Sequence, residues 1–452
     1  MTDGWIGFLK VCVKRFLGKI LEYGISSNTV YGFAAKGVAM VFFFAMDITL
    51  ARLLPVSGYG EWSYFFSIIS ICFWFCWMGI NSSTCVHVAI EAEKKENLLT
   101  CIKSSISLRI IVSTAFAVVF YFASPLLLSF LDHTDNYPNL NLLLRFGAVL
   151  LLLNSISELL KNLWIGLQKQ KYLFWQTQVE YGFLFIVVVG LVLIYRSSVF
   201  VIVSYIVSLS SSLVVAFLIL YYFIKKNNIS SSRNNSQGYW KRILKFAMPL
   251  WLAGLAHVIL MEIGTVMIGY LSSSEEVAIF NVAKKLSDKA LHLNLAYMHS
   301  IMPAFAVLSY ENIKEKSGYF KKALKMNALL VLIASIILSV GGTLLIPLLY
   351  GYQYSDSVLI LYLLIPQYIC QAFISFLMLF TGYQKKMMVR NIAYLLAIAV
   401  CFVLNYLLIP SYGAMGAAVA MSISAIPLLA TLIIVSYRLI ISYQSKEVLY
   451  IK

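Results

Sequence analysis

Residues 277–308 read VAIFNVAKKLSDKALHLNLAYMHSIMPAFAVL, a run long enough for a bilayer-spanning helix that nevertheless carries Lys284, Lys285, Asp288, Lys289, His292 and His299. A crossing needs about 20 largely apolar residues, which this stretch supplies. Ionisable groups at that depth are expensive and persist where they face a protein interior or a wet cavity, so the stretch is a candidate functional site. At helical spacing Lys285, Lys289, His292 and His299 are i, i+4, i+7 and i+14 and share one stripe, with Asp288 beside it. A mostly cationic stripe inside a membrane points to an anionic ligand. Whether the stretch crosses the bilayer or lies on it as an amphipathic helix decides the sidedness of every loop that follows.

The rest of the chain favours a crossing. Of 452 residues 61% are hydrophobic and only 12% charged, with a mean hydropathy of +0.84, against roughly 25% charge in soluble domains. This is the composition of an all-α polytopic membrane protein. Twelve spans are expected, at 29–54, 60–85, 104–131, 140–166, 173–195, 199–224, 244–271, 277–308, 323–350, 357–382, 390–409 and 413–438. Lys and Arg outside them fall mainly in alternate loops. One side collects the N-terminal stretch, Lys94, Lys95, Lys103, Lys169, Lys171, the run from Lys225 to Arg242, Lys314 to Lys322, Lys385, Lys386, Arg390, Lys446 and Lys452. The other side has Arg52 and Arg196 against Glu61, Asp132, Asp135, Glu275, Glu276 and Asp356. By the positive-inside rule both termini are cytoplasmic. Without a crossing at 277–308 the later basic loops would fall on the wrong side.

That placement also explains the net charge of +16 without a nucleic-acid partner. Residues 1–28, containing WIGFLKVCVKRFLGKIL, are too interrupted by lysine and arginine for a cleavable signal and read as a basic interfacial helix on the cytoplasmic face. Seven cysteines are scattered in or beside apolar runs, as packing residues are, without metal-type clustering. No catalytic residue, metal site or cofactor is indicated, and no outward loop is long enough to build an active site.

The polar run KKNNISSSRNNSQGYWKR at 225–242 marks a cytoplasmic linker, taken as 225–243, between six-helix bundles at 29–224 and 244–438, with a cytoplasmic tail at 439–452. GLQK at 166–169 recurs as GYQK at 382–385 in corresponding positions, which gives the two bundles a weak pseudo-two-fold relation. Transport sites tend to lie near the midplane between such repeats.

Other membrane-embedded charges widen the candidate site. Lys36 and Asp47 share a face of the first span about 16 Å apart along its axis. Arg145 lies near the outer end of the fourth span, either snorkelling or lining a cavity. Glu158 and Lys161 are spaced for a local ion pair, Arg109 and Glu180 for snorkelling, and His257 for a packed histidine. Asp47 and Glu262 are remote from any interface, where a carboxylate pairs with a cation or takes up a proton. The candidate anion-binding set is therefore Lys36, Arg145, Lys285, Lys289 and His292. The candidate ion-coupling set, for H+ or Na+, is Asp47, Glu262 and Asp288, the last either bracing Lys284 or Lys289 or taking part in coupling.

Three blocks resemble one superfamily. The segment NYLLIPSYGAMGAAVA at 405–420 is similar to the last two helices of polysaccharide exporters in the multidrug/oligosaccharidyl-lipid/polysaccharide (MOP) flippase superfamily. LARLLPVSGYGEWSY at 50–64 resembles its first outward turn, and 246–286, from FAMPLWLAGL to FNVAKKL, the start of its second half. Within it the chain looks most like Wzx-type O-antigen flippases. That resemblance implies a MATE-like fold in the bacterial inner membrane. It also implies a cargo of undecaprenyl-diphosphate-linked glycan drawn from membrane lipid, and an O-antigen polymerase and chain-length regulator as partners. Asp47 and Glu262 also find counterparts in the carboxylates of multidrug and toxin extrusion (MATE) transporters, so a cation-coupled drug exporter is the alternative. Seven membrane cations against five acids favour the anionic cargo.

Overall fold

The computed structural model describes residues 27–94, 97–132, 136–229, 236–308, 313–382 and 387–450. Every regular element among them is helical: α1 (Ser27–Leu53), α2 (Val56–Trp77), α3 (Ile80–Lys94), α4 (Leu98–Leu131), α5 (Leu140–Gly166) and α6 (Gln170–Tyr195), then α7 (Ser198–Lys226), α8 (Ser236–Leu271), α9 (Ser274–Leu308), α10 (Ile313–Leu349), α11 (Ser357–Gly382) and α12 (Met387–Tyr450), with a 3-10 turn at Tyr352–Tyr354. Nine helices among the described residues are long and apolar enough to cross a membrane, or ten if the bent pair α2 and α3 is one span, which makes this a multi-pass membrane protein. The basic stretch at 1–26 and the residues Tyr383–Lys385 of the short repeat lie outside the described residues.

Four boundaries differ from the expected ones, each for a local reason. The span expected at 60–85 breaks at Met78 and Gly79, which take left-handed backbone at φ 44° and 68°, and the two pieces bend by 43°. A Cβ at Gly79 would lie 2.4 Å from the carbonyl oxygen of Ala247, so α8 passes against bare backbone there. The spans expected at 390–409 and 413–438 have no loop between them; they meet in α12 at Gly413, with φ 52° and ψ −133°. α7 ends at Lys226 and α8 already begins at Ser236, inside the expected linker. α12 runs on to Tyr450, through most of the expected tail.

α1 packs on α6, α6 on α7, and α5 on α3, α4 and α7; α11 packs on α9, α10 and α12, and α12 on α8. α2 joins these two groups, lying against both α8 and α9. Its buried face carries Tyr59, Trp62, Tyr64, Phe65 and Ile69, and at Gly60 the backbone of α9 comes so close that any Cβ would overlap the carbonyl oxygen of Ser274. α9 itself is an interior helix despite its charge, with Val277, Phe280, Ala283, Leu286 and Phe305 in the core. Its charges lower its hydropathy, while its packing replaces water with protein.

The end of the molecule that carries the turns after α1, α4, α8 and α10 is tied together by hydrogen bonds. Arg52 donates from Nε to the Leu349 carbonyl at 2.7 Å and from Nη2 to that of Leu348, so the end of α1 closes the last carbonyls of α10, which lack partners within their own helix. Tyr354 donates to the Ala51 carbonyl at 3.1 Å, Tyr137 to that of Gly269 at 3.1 Å, and Tyr64 to that of Leu131 at 3.0 Å. Glu276 on α9 accepts from the amide of Ala414 at 2.6 Å and so caps the second part of α12.

Candidate functional site

A cavity of about 190 Å³ lies among α1, α2, α7, α8 and α9, lined by Asp47, Glu262, Lys284, Lys285, Asp288 and Lys289 together with apolar and aromatic side chains. Asp47 is six residues before the end of α1 and Lys285 eleven after the start of α9, so the site sits roughly 9–16 Å in from the hydrogen-bonded end at 1.5 Å per residue.

Two ion pairs organise it. Lys285 on α9 bonds to Asp47 on α1, linking elements far apart in the chain. Asp47 also accepts from the Tyr59 hydroxyl at 3.1 Å and the Tyr350 hydroxyl at 3.1 Å, so side chains of α2 and of the turn after α10 meet the same carboxylate. The Lys285 ammonium is 3.2 Å from the Tyr59 oxygen as well. The second pair joins Lys284 to Glu262 on α8 at 2.7 Å, with Ser67 on α2 donating to Glu262 at 2.8 Å. Among the described residues Asp288 and Lys289 make no ion pair, and Lys289 lies 5.7 Å from the ring centroid of Phe44.

The structure thus brings together Asp47, Glu262, Lys285, Asp288 and Lys289 of the expected set. Lys36, Arg145 and His292 are exposed and lie outside the cavity lining. The lining carries three lysines and three acids and is balanced in formal charge, where the sequence pattern had suggested a cationic cavity. Tyr59, Ser67 and Tyr350 are participants that no charge pattern marks. Lys284 had a legible signal: it and Glu262 are equidistant from the turn at Ser273, so an antiparallel helix pair places them at one depth.

A second cavity of about 200 Å³ adjoins the first through Phe43, Phe66 and Tyr205 and contains Glu158, Glu180 and Tyr181. Lys161 bonds to Glu158 at 2.9 Å and to Glu180 at 2.6 Å, and Ser157 donates to Glu180 at 2.6 Å. Arg109, expected to snorkel, is fully buried; it donates to the carbonyls of Cys76 at 3.0 Å and Trp77 at 3.1 Å and to the side chain of Asn81. It therefore closes the C-terminus of α2 at the break. Among the described residues no group of three or more His, Cys, Asp or Glu side chains could hold a metal ion.

The fold, an interior of ion-paired helices around a cavity within a multi-pass bundle, is that of several known membrane-protein structures. An inward-facing multidrug resistance MATE family transporter of the MOP superfamily is 14% identical with a TM-score of 0.71, over 92% of this chain and 99% of that one. The lipid II flippase MurJ, in an inward closed conformation, is 16% identical with a TM-score of 0.67, over 90% of this chain and 87% of that one. A MOP superfamily transporter from Pyrococcus furiosus, described as having a binding pocket of reverse polarity, is 15% identical with a TM-score of 0.63, over 92% of this chain and 95% of that one. Residues 22–309 match the polysaccharide biosynthesis protein family, and the chain belongs to it. No match was found among curated proteins.

Proposed function

We propose that this protein is a flippase that carries an undecaprenyl-diphosphate-linked oligosaccharide, an O-antigen or related repeat unit, from the cytoplasmic to the periplasmic leaflet of a bacterial inner membrane. The observation that carries the reading is the lysine row of α9, Lys284, Lys285 and Lys289, held against a cavity in a chain of the polysaccharide biosynthesis family. A diphosphate left unpaired in hydrocarbon would cost many kcal/mol, so its carrier must supply cations at depth. In this reading the chain crosses twelve times: α2 with α3 is one bent crossing, α9 is another, and α12 contributes two that meet at Gly413. Both termini are cytoplasmic, and the hydrogen-bonded end faces the periplasm. The two six-helix groups rock about the cavity while the polyprenyl tail stays in lipid. With the interior negative, outward movement of two negative charges gains roughly 5 kcal/mol per 100 mV, and Asp47, Glu262 and Asp288 offer sites for coupling to H+ or Na+.

The test is a cell in which Lys285→Gln and Lys289→Gln are combined. The protein should remain in the membrane while undecaprenyl-linked repeat units accumulate on the inner leaflet and surface polysaccharide is lost; normal surface polysaccharide would overturn the assignment. A second reading, cation-coupled drug export, is favoured by one observation, the three acids among the cavity residues. It predicts raised drug resistance on overexpression and no glycan phenotype.

A further inference from the structure

The balanced cavity raises a difficulty for an anionic cargo: two of its three lysines already have carboxylate partners, and Lys289, which makes no ion pair among the described residues, cannot alone neutralise a diphosphate. The two pairs are not equivalent. The Lys284 side chain is 8% exposed and that of Lys285 27%, so a ligand in the cavity reaches Lys285 far more readily. Their acids differ too. If Lys284 left, Glu262 would keep one donor among the described residues, the Ser67 hydroxyl, whereas Asp47 would keep two phenolic donors, Tyr59 and Tyr350. A buried carboxylate with two hydrogen bonds tolerates the loss of its cation better than one with a single bond.

We propose that Asp47 is a resident counter-ion that the cargo displaces: the diphosphate enters at Lys289, takes Lys285 from Asp47, and leaves the carboxylate to Tyr59 and Tyr350. Lys284 and Glu262 stay paired. The proposal rests on the flippase reading and names its recognition step. It also links recognition to movement, because the Asp47–Lys285 pair fastens α1 to α9 one to two turns below the contacts of Ala51 and Arg52 with Tyr354 and the end of α10. Releasing the pair removes the charged tie between α1 and α9 next to the closed end.

The experiment is calorimetric titration of the purified full-length protein in detergent with farnesyl diphosphate and, separately, inorganic pyrophosphate. Close charge pairs of this kind have coupling energies that amount to tenfold or more in affinity. Asp47→Asn, which removes the competitor, should bind both probes roughly tenfold more tightly, and Lys285→Gln at least tenfold more weakly. The double variant should bind no more tightly than Lys285→Gln alone. Tyr350→Phe is the second probe: with one donor gone, Asp47 holds Lys285 harder, and both ligands should weaken several-fold. Unchanged or weaker binding by Asp47→Asn, or tighter binding by Tyr350→Phe, overturns the exchange while the flippase reading stands. Failure of the unaltered protein to bind either probe overturns both. Binding of farnesyl diphosphate but not pyrophosphate would make the prenyl tail the recognised group and overturn the exchange.

Discussion

Lys284 and Lys285 are adjacent in sequence and serve different helices, because a step of one residue turns the side chain by roughly 100° around a helix. Lys284 points to Glu262 and braces α9 on α8; Lys285 points across to Asp47 on α1. The brace is testable as stability. Lys284→Met leaves Glu262 a largely buried charge without a cation, and breaking such a pair costs about 3–5 kcal/mol. Thermal unfolding in detergent should show a clear fall in Tm for Lys284→Met and recovery of most of it in Lys284→Met with Glu262→Met. A double variant as unstable as the single would show that the pair itself, not the orphaned carboxylate, carries the stability. Much of this site was legible in residues. The i, i+4 spacing put Lys285 and Lys289 on one face, and apolar surroundings singled out Asp47 and Glu262. What periodicity lacks is depth: His292 continues the stripe of Lys285 and Lys289 but lies beyond the cavity, and Lys36 shares a face with Asp47 three turns away. Partners from other helices, such as Tyr350, carry no sign of their role in the sequence at all.

Elements show where a length ruler fails. The run at 60–85 is largely apolar, so hydropathy gives one helix, yet Gly79 with Met78 breaks it and Arg109 from α4 satisfies the free carbonyls at the end of α2. Arg109→Leu should therefore leave those carbonyls and the Asn81 side chain buried without their donor, at about 1–3 kcal/mol for each unsatisfied group. The measurable outcome is a lower Tm and less folded protein in the membrane; unaltered Tm would mean that water or another donor replaces the guanidinium. At Gly413 the sequence block 405–420 showed that the place was special, and the structure gives the reason. An added Cβ would lie 2.6 Å from the Glu276 carboxylate oxygen that caps Ala414, in a backbone conformation that L side chains rarely adopt. Gly413→Ala is expected to destabilise by about 1–3 kcal/mol, and Gly413→Val by more, read again as Tm. Small residues around it, Ala414, Ala417 and Ala418, are fully or nearly fully buried and let helices approach closely.

At the scale of the whole molecule, contacts that close one end unite both helix groups: Arg52 and Ala51 of α1 with α10 and its following turn, and Tyr137 with α8. On the flippase reading proposed above, alternating access requires contacts between the two groups to break at that end to release cargo, and the cavity lies next to it. Arg52→Cys with Leu348→Cys, joined by a short bismaleimide, should therefore hold the end shut and reduce flipping of the lipid-linked glycan at least tenfold, while either single variant treated alike retains it. The cross-link acts on movement without touching Asp47, Lys285 or Lys289, so diphosphate binding by the joined protein should be unchanged. That combination, binding kept and transport lost, separates a gate from a damaged site. Undiminished flipping by the joined protein would mean that the glycan leaves by a route that does not require this end to open.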